Sequence, residues 1–93
     1  MSRVGLHIIV TGRVQGVGYR YFARKTAEAF DIDGTVRNRH DGSVELHACG
    51  EEENMRGFVE QLELGPSGSF VDRVETFDEP IASFPSGFHI EQE

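Results

Sequence analysis

The chain of 93 residues is poor in several residue types, and each shortage excludes a class of protein. It has no tryptophan, three prolines and one cysteine, Cys49. A single cysteine cannot form an internal disulfide, which argues against a disulfide-stabilised secreted domain. No apolar run reaches the ~20 residues of a membrane-spanning helix, and the short run at residues 8–10 does not resemble a signal peptide. We therefore expect one domain over residues 1–93, located in the cytoplasm.

Positive charge is scarce overall and unevenly distributed. The net charge is −7, yet residues 1–40 carry seven of the nine basic residues and three of the sixteen acidic ones. A basic first part in an acidic chain indicates a local anion site and argues against a nucleic-acid surface. A single lysine against sixteen acids fits an ordinary acidic protein and a protein adapted to high salt equally well.

Hydrophobic spacing predicts two helices. One apolar helix face is formed by Tyr19, Phe22, Ala23, Thr26 and Phe30, and a second by Met55, Phe58, Val59 and Leu62. Three glutamates at residues 51–53 stand where the second helix begins, and the Gly-Pro pair at 65–66 ends it.

Strand patterns fill the remaining segments. Alternating residues predict strands near 6–11, 35–39, 43–48 and 71–77, with an Asp-Gly hairpin turn at 40–42 and a short last strand at Phe88 and Ile90. The order β-α-β-β-α-β predicts an α+β, ferredoxin-like split βαβ fold. It would have a four-stranded antiparallel sheet with both helices on one face. This architecture hosts unrelated activities, so function depends on the sites.

A glycine-rich loop at residues 13–20, between the first strand and the first helix, is the strongest candidate site. Its backbone N–H groups lie at a helix N-terminus, where they can bind an anion, and glycines allow the backbone to approach it closely. Arg20 at its end can bind a phosphoryl group through two parallel hydrogen bonds. The loop is neither a Walker P-loop nor a dinucleotide fingerprint, and by its pattern alone it could equally be a structural connection.

Two segments resemble the signatures of the acylphosphatase family. Residues 12–20 (GRVQGVGYR) are similar to the first signature; residues 34–38 (GTVRN), followed by 41–44 (DGSV) and Gly50, are similar to the second. The spacing of the two segments also matches, and weaker similarity continues through residues 65–66 and 71–74. The chain departs from the family at Thr35, where an aromatic residue is usual.

The resemblance implies hydrolysis of the carboxyl-phosphate bond of acyl phosphates, giving a carboxylate and inorganic phosphate. Arg20 would bind the phosphoryl group and Asn38 would orient the attacking water, whose proton passes to the substrate's own phosphate. The implied phosphate-binding loop comprises Gln15, Gly16, Val17, Gly18, Tyr19 and Arg20. Positioning and charge stabilisation suit phosphoryl transfer, and the scheme needs neither metal nor cofactor.

Other conspicuous residues have simpler interpretations. His7, His40, His47 and His89 show no metal-ligand spacing, so we predict no metal site. Cys49 has no partner base in sequence and is interpreted as a packing residue.

Four alternative functions share the predicted fold or the loop. An RNA-recognition domain would need aromatic residues on the third strand, and a metal-carrying domain would need a Cys-x-x-Cys motif; the chain has neither. The carbamoyl-phosphate-handling module of hydrogenase maturation proteins has a similar loop but normally belongs to a longer chain. A regulatory domain that binds an anion without turnover also stays open. We expect a monomer that acts on a small acyl phosphate and binds neither nucleic acid nor membrane; the sequence does not identify the acyl group.

Overall fold

The structure, a computed structural model, describes residues 2–81 and 84–92 and contains five strands and two helices within them. In chain order these are β1 (Arg3–Arg13), α1 (Tyr19–Ala29), β2 (Asp33–Asn38), β3 (Val44–Glu51), α2 (Glu52–Leu64), β4 (Phe70–Asp78) and β5 (Phe88–Ile90). The first six elements follow the predicted order. Neither helix in the described part of the chain has the length and apolarity to cross a membrane.

The sheet has the strand order β4-β1-β3-β2-β5, and its last strand corrects the sequence prediction. The expectation of a four-stranded, wholly antiparallel sheet was wrong, because β5 joins β2 in parallel. The short strand predicted at Phe88 and Ile90 is confirmed. Its flanks complete the pairing: Gly34 N–H donates to the Gly87 carbonyl, and Glu91 N–H donates to the Val36 carbonyl, each at 2.8 Å. β5 thereby covers an edge of β2 that would otherwise expose unpaired backbone groups.

The core lies between one face of the sheet and the two helices. Ile8 and Leu46 from the sheet, and Ala23 and Phe58 from the helices, have no exposed surface. The helix faces predicted from spacing are confirmed, since Tyr19, Met55 and Leu62 are also buried. Burial of these apolar side chains is the main term that holds the helices on the sheet.

The opposite face of the sheet carries the connection from β4 to β5. Glu79 N–H donates to the Gly5 carbonyl at 2.9 Å, and Phe84 and Pro85 lie beside Thr35 of β2. The described parts of this connection, residues 79–81 and 84–85, therefore lie on the face of the sheet away from the helices. Polar side chains on this face are half-buried beside the connection: His7 of β1, Thr35 of β2 and His47 of β3.

Candidate active site

The loop between β1 and α1 presents backbone donors to open space. Gly16 and Gly18 have φ values of 77° and 78°, in the left-handed region that glycine adopts without strain. A Cβ atom at either position would meet nothing within 4 Å, so the φ values rather than crowding require glycine. Within the described chain, none of the N–H groups of residues 15–18 donates to a backbone acceptor. Together with the free N–H groups of the first turn of α1, they can bind an anion.

Arg20 is the second residue of α1 and keeps most of its donors available. Its side chain is half-buried, and its Nη1 lies 3.5 Å from the Glu91 carbonyl oxygen, a long and weak hydrogen bond. Among the ion pairs of residues 2–81 and 84–92, none includes Arg20. Its guanidinium is thus free to bind an anion with two parallel hydrogen bonds.

Asn38 is the last residue of β2, and it lies in the same cavity as Arg20. This cavity has a volume of about 220 Å³. It is lined by Val14, Gly16, Gly18, Tyr19, Arg20, Tyr21, Asn38, Ile90 and Gln92. The structure therefore brings the loop, the arginine and the asparagine to one place, although the chain separates the last two by eighteen positions.

Gln15 holds the loop against the β2–β3 turn and does not line the cavity. Its Nε2 donates to the carbonyl oxygens of Arg39 and Ser43, both at 2.8 Å. Val17, the other predicted loop residue outside the cavity lining, packs against the core. The side chains of these two residues position the loop. Their backbone N–H groups remain able to donate hydrogen bonds to an anion.

Tyr19 anchors the start of α1 to the end of α2. Its hydroxyl donates to the Leu62 carbonyl at 2.7 Å, and the side chain is almost completely buried. Burial raises the pKa of the Tyr19 hydroxyl well above its ordinary value, so the group stays a neutral donor. The hydrogen bond satisfies a carbonyl that the end of α2 leaves without an intrahelical partner.

The β2–β3 turn next to Asn38 is closed by Asp41. Its Oδ1 accepts from the Ser43 hydroxyl at 2.6 Å and from the Ser43 N–H at 3.0 Å. These hydrogen bonds, with a smaller contribution from the charge of Arg39, lower the pKa of Asp41. The predicted Asp-Gly turn is thus an Asx-type turn that fixes the end of β2.

Sequence reasoning did not identify the C-terminal residues of the cavity. Ile90 and Gln92 reach it because β5 lies beside β2 and close to α1. The one signal for their presence was the short last strand, and Gln92 belongs to no motif.

Known proteins resemble this chain in both sequence and fold. The family model described as Acylphosphatase matches residues 6–90 of the chain. The chain belongs to the acylphosphatase family. It is 51% identical over 75 residues to an acylphosphatase of Bifidobacterium longum, an alignment covering 81% of this chain and 77% of that protein.

Solved structures agree with the family assignment. The crystal structure of acylphosphatase from Bacillus subtilis superposes with a TM-score of 0.91 and 37% identity, covering 95% of this chain and 98% of that one. HypF of T. kodakarensis contains a similar unit: the TM-score is 0.86 at 31% identity, covering 99% of this chain and 12% of that one.

The position at which this acylphosphatase-family chain departs from the usual pattern lies outside the cavity. Thr35 pairs with His47 in the sheet and lies on the face away from the helices, near Phe84 and Pro85. Its side chain therefore adjoins the β4–β5 connection and does not line the cavity of Arg20 and Asn38.

Proposed function

We propose that this member of the acylphosphatase family hydrolyses acyl phosphates at the cavity of Arg20 and Asn38. The observation that carries the proposal is the convergence on one small cavity of three features: an arginine that forms no ion pair within the described residues, loop N–H groups without a backbone acceptor there, and a strand-end asparagine. Family membership supports the reaction class, and the cavity supports the assignment of residues.

In this proposal the loop and Arg20 bind the phosphoryl oxygens. Charge on those oxygens is stabilised by donors that are already in place, which is the main requirement of phosphoryl transfer. A guanidinium suits this role better than an ammonium because its two parallel N–H groups match two oxygens.

Asn38 orients the attacking water. Its amide cannot take up a proton near neutral pH, but its oxygen and nitrogen can both hydrogen-bond to a water molecule. The water oxygen forms a bond to phosphorus while the bond from phosphorus to the acyl oxygen breaks, and that electron pair leaves on the carboxylate. The water's proton passes to a phosphate oxygen of the substrate, so no protein group is needed as the base.

Release of phosphate from benzoyl phosphate by the purified chain tests the proposal. We expect Arg20→Ala and Asn38→Ala to abolish measurable turnover, because loss of one preorganised donor already costs on the order of 10²–10³ in rate. Arg56→Ala, at an exposed position of α2, and Asn54→Ala, at a half-buried position of α2 away from the cavity, are matched controls that keep turnover. Circular dichroism checks that all four variants fold, and near-wild-type turnover of either site variant would overturn the assignment.

The same assay separates hydrolysis from anion binding without turnover. A regulatory domain would bind inorganic phosphate in a calorimetric titration and release none from benzoyl phosphate. Comparison of acetyl, carbamoyl and glyceroyl phosphates then identifies the preferred acyl group.

The ferredoxin-like fold, the cytoplasmic location and the monomeric state are also part of this proposal. The order of the first six elements supports the ferredoxin-like split βαβ description. The single, buried cysteine is compatible with a reducing compartment such as the cytoplasm. We further propose that the chain acts as a monomer.

A further inference from the structure

The face of the sheet away from the helices carries a cluster of two histidines and a glutamate. His7 of β1 and His47 of β3 are direct cross-strand partners, and their rings stack with centroids 4.6 Å apart and planes within 4°. Glu45 precedes His47 by two positions on β3 and points to the same face. One ligand atom from each of the three side chains lies within 4.8 Å of the others.

One carboxylate oxygen faces both rings. Oε2 of Glu45 lies 2.6 Å from Nε2 of His7 and 3.8 Å from Nε2 of His47. The other oxygen, Oε1, accepts a hydrogen bond from Nε of Arg37 at 2.7 Å. The oxygen that faces the rings is therefore free of the arginine.

Glu79 fixes the tautomer of His47. Both of its carboxylate oxygens lie 2.9 Å from Nδ1 of His47. A carboxylate accepts hydrogen bonds, so Nδ1 carries the proton, and in the neutral ring Nε2 carries a lone pair directed toward Glu45. A lone pair facing a carboxylate oxygen is unfavourable unless a proton or a metal cation lies between them, so this geometry suits a metal ion as well as a proton. A histidine whose other ring nitrogen donates to a carboxylate is also the usual arrangement of a metal ligand.

The charges around the rings favour a cation. Glu45 and Glu79 carry two negative charges, and Arg37 carries one positive charge. Phe77, the partner of His7 on β4, contributes an apolar ring with its centroid 6.0 Å from that of His7. With both histidines neutral, the cluster has a net charge of −1.

We propose that His7, Glu45 and His47 form a binding site for a divalent transition metal ion of the zinc class, with Glu79 orienting His47 and water completing the coordination. Two imidazoles and one carboxylate are a common zinc ligand set. The side chains of His7 and His47 are 32% and 37% exposed, so an ion can enter from solvent. The site lies on the opposite face of the sheet from the helices and is independent of the proposed hydrolysis.

Binding requires a small rearrangement of the rings. Bonds of ~2.0–2.1 Å to each nitrogen in tetrahedral geometry place the two nitrogens about 3.4 Å apart, with lone pairs that converge. Parallel stacked rings have parallel lone pairs, so the rings must tilt toward one another as the ion binds. Half-exposed side chains at the surface of a sheet can make this rotation.

Calorimetric titration of the whole chain with Zn²⁺ tests the proposal. We expect one equivalent to bind and the melting temperature to rise. His7→Gln and His47→Gln should weaken binding by about 100-fold or more, because loss of an outer partner alone costs ~10–100-fold. His40→Gln, which removes a histidine from the β2–β3 turn, is the matched control and should leave binding unchanged.

Glu79→Gln tests the positioning role. The amide oxygen can still accept the Nδ1 hydrogen bond, but the charge is lost, so we expect binding to weaken by ~10-fold with the melting temperature of the metal-free protein unchanged. Glu79→Asp should restore part of the affinity.

Three results would overturn the site: no saturable Zn²⁺ binding to the wild-type chain, full binding to either cluster variant, or loss of binding in His40→Gln alone. If the cluster variants fail to fold, Co²⁺ absorption by the wild-type chain decides. Intense visible bands without sulfur charge transfer support the histidine-carboxylate set, whereas sulfur charge transfer assigns the ion to Cys49 and refutes the proposal.

Discussion

The side-chain nitrogen of Gln15 lies 2.8 Å from the carbonyl oxygen of Arg39, which joins the loop after β1 to the residue that follows Asn38. The same nitrogen also donates to Ser43 across the turn. One amide group therefore links the β1–α1 loop directly to the end of β2. If Arg20 and Asn38 act on opposite sides of the reacting bond, this amide controls their alignment.

We expect Gln15→Ala to lower kcat more than it changes KM. The loop N–H groups and Arg20 remain able to bind phosphate, but small displacement of catalytic groups can cost on the order of 10² in rate. The prediction is a 10–100-fold lower kcat for benzoyl phosphate with little change in competitive inhibition by inorganic phosphate. Gln61→Ala on the exposed side of α2 is the control, and equal kinetics in the two variants would contradict the prediction.

Much of the fold could be predicted from the chain because local sequence patterns specify most of its elements. Alternating residues, two helical apolar faces and an Asp-Gly turn are properties of neighbouring residues. The parallel pairing of β5 with β2 is different, since it depends on where a long connection crosses the sheet. Three residues of strand could not specify a partner, and the prediction of a four-stranded sheet failed there.

The candidate site likewise contains residues that the sequence identified and residues that only the fold brings together. The loop was visible in its glycines, and Arg20 in its place at the helix start, whereas Asn38 was identified through the family resemblance. Gln92 and the stacking of His7 on His47 depend on strand pairing between distant segments. The histidines showed no ligand spacing because their proximity is created across strands, not along the chain.

Gly18→Ala should impair phosphate binding more than folding. Alanine at φ 78° costs about 1–2 kcal/mol of strain, and relief of that strain turns the loop N–H groups away from the anion. Gly68→Ala is a matched control, because Gly68 has a φ of 89° and equally open surroundings outside the loop. Both variants should lose similar stability in urea, but only Gly18→Ala should show weaker inhibition by inorganic phosphate. Unchanged inhibition would refute a role for the loop conformation.

Tyr19→Phe should reduce stability and preserve the chemistry. Removal of the hydroxyl leaves the Leu62 carbonyl without its donor, at a cost of about 1–3 kcal/mol in the free energy of unfolding. Tyr21→Phe, at an exposed position, should stay within about 0.5 kcal/mol of wild type. Urea denaturation measures both, and a stability loss that is the same in the two variants would contradict the anchoring role. We expect kcat of Tyr19→Phe to stay within a few-fold of wild type.

The turn that holds Asn38 should weaken in acid through Asp41. Its folded-state pKa is lower than the ordinary value of 3.8, mainly because the Ser43 hydroxyl and N–H donate to it. The ionised carboxylate therefore stabilises the fold above the unfolded-state pKa, and this contribution is lost as the pH falls through the lower folded-state value. The carboxyl carbon of Asp41, followed by NMR, should titrate below pH 3.8; titration above that value would show that the hydrogen bonds do not hold in solution. The stability difference between wild type and Asp41→Ala should shrink over the same range.

Gly34→Ala should be the most damaging of these glycine substitutions, because it combines backbone strain with steric overlap. Gly42→Ala introduces the strain alone and so separates the two causes. Both glycines have positive φ, 146° at Gly34 and 92° at Gly42. A Cβ atom at Gly42 would meet nothing within 4 Å, so alanine there costs about 1–2 kcal/mol of backbone strain.

At Gly34 the added atom would overlap the backbone carbonyl of His47 on the adjacent strand. Forced overpacking adds about 1–3 kcal/mol to the strain, and the shift must also disturb the contact of β2 with β5 through Gly87. We expect Gly34→Ala to lose about 2–5 kcal/mol in urea unfolding and to lower turnover, because β2 carries Asn38 at its end. If Gly34→Ala were no less stable than Gly42→Ala, the close approach of β2 to β3 would not exist in solution.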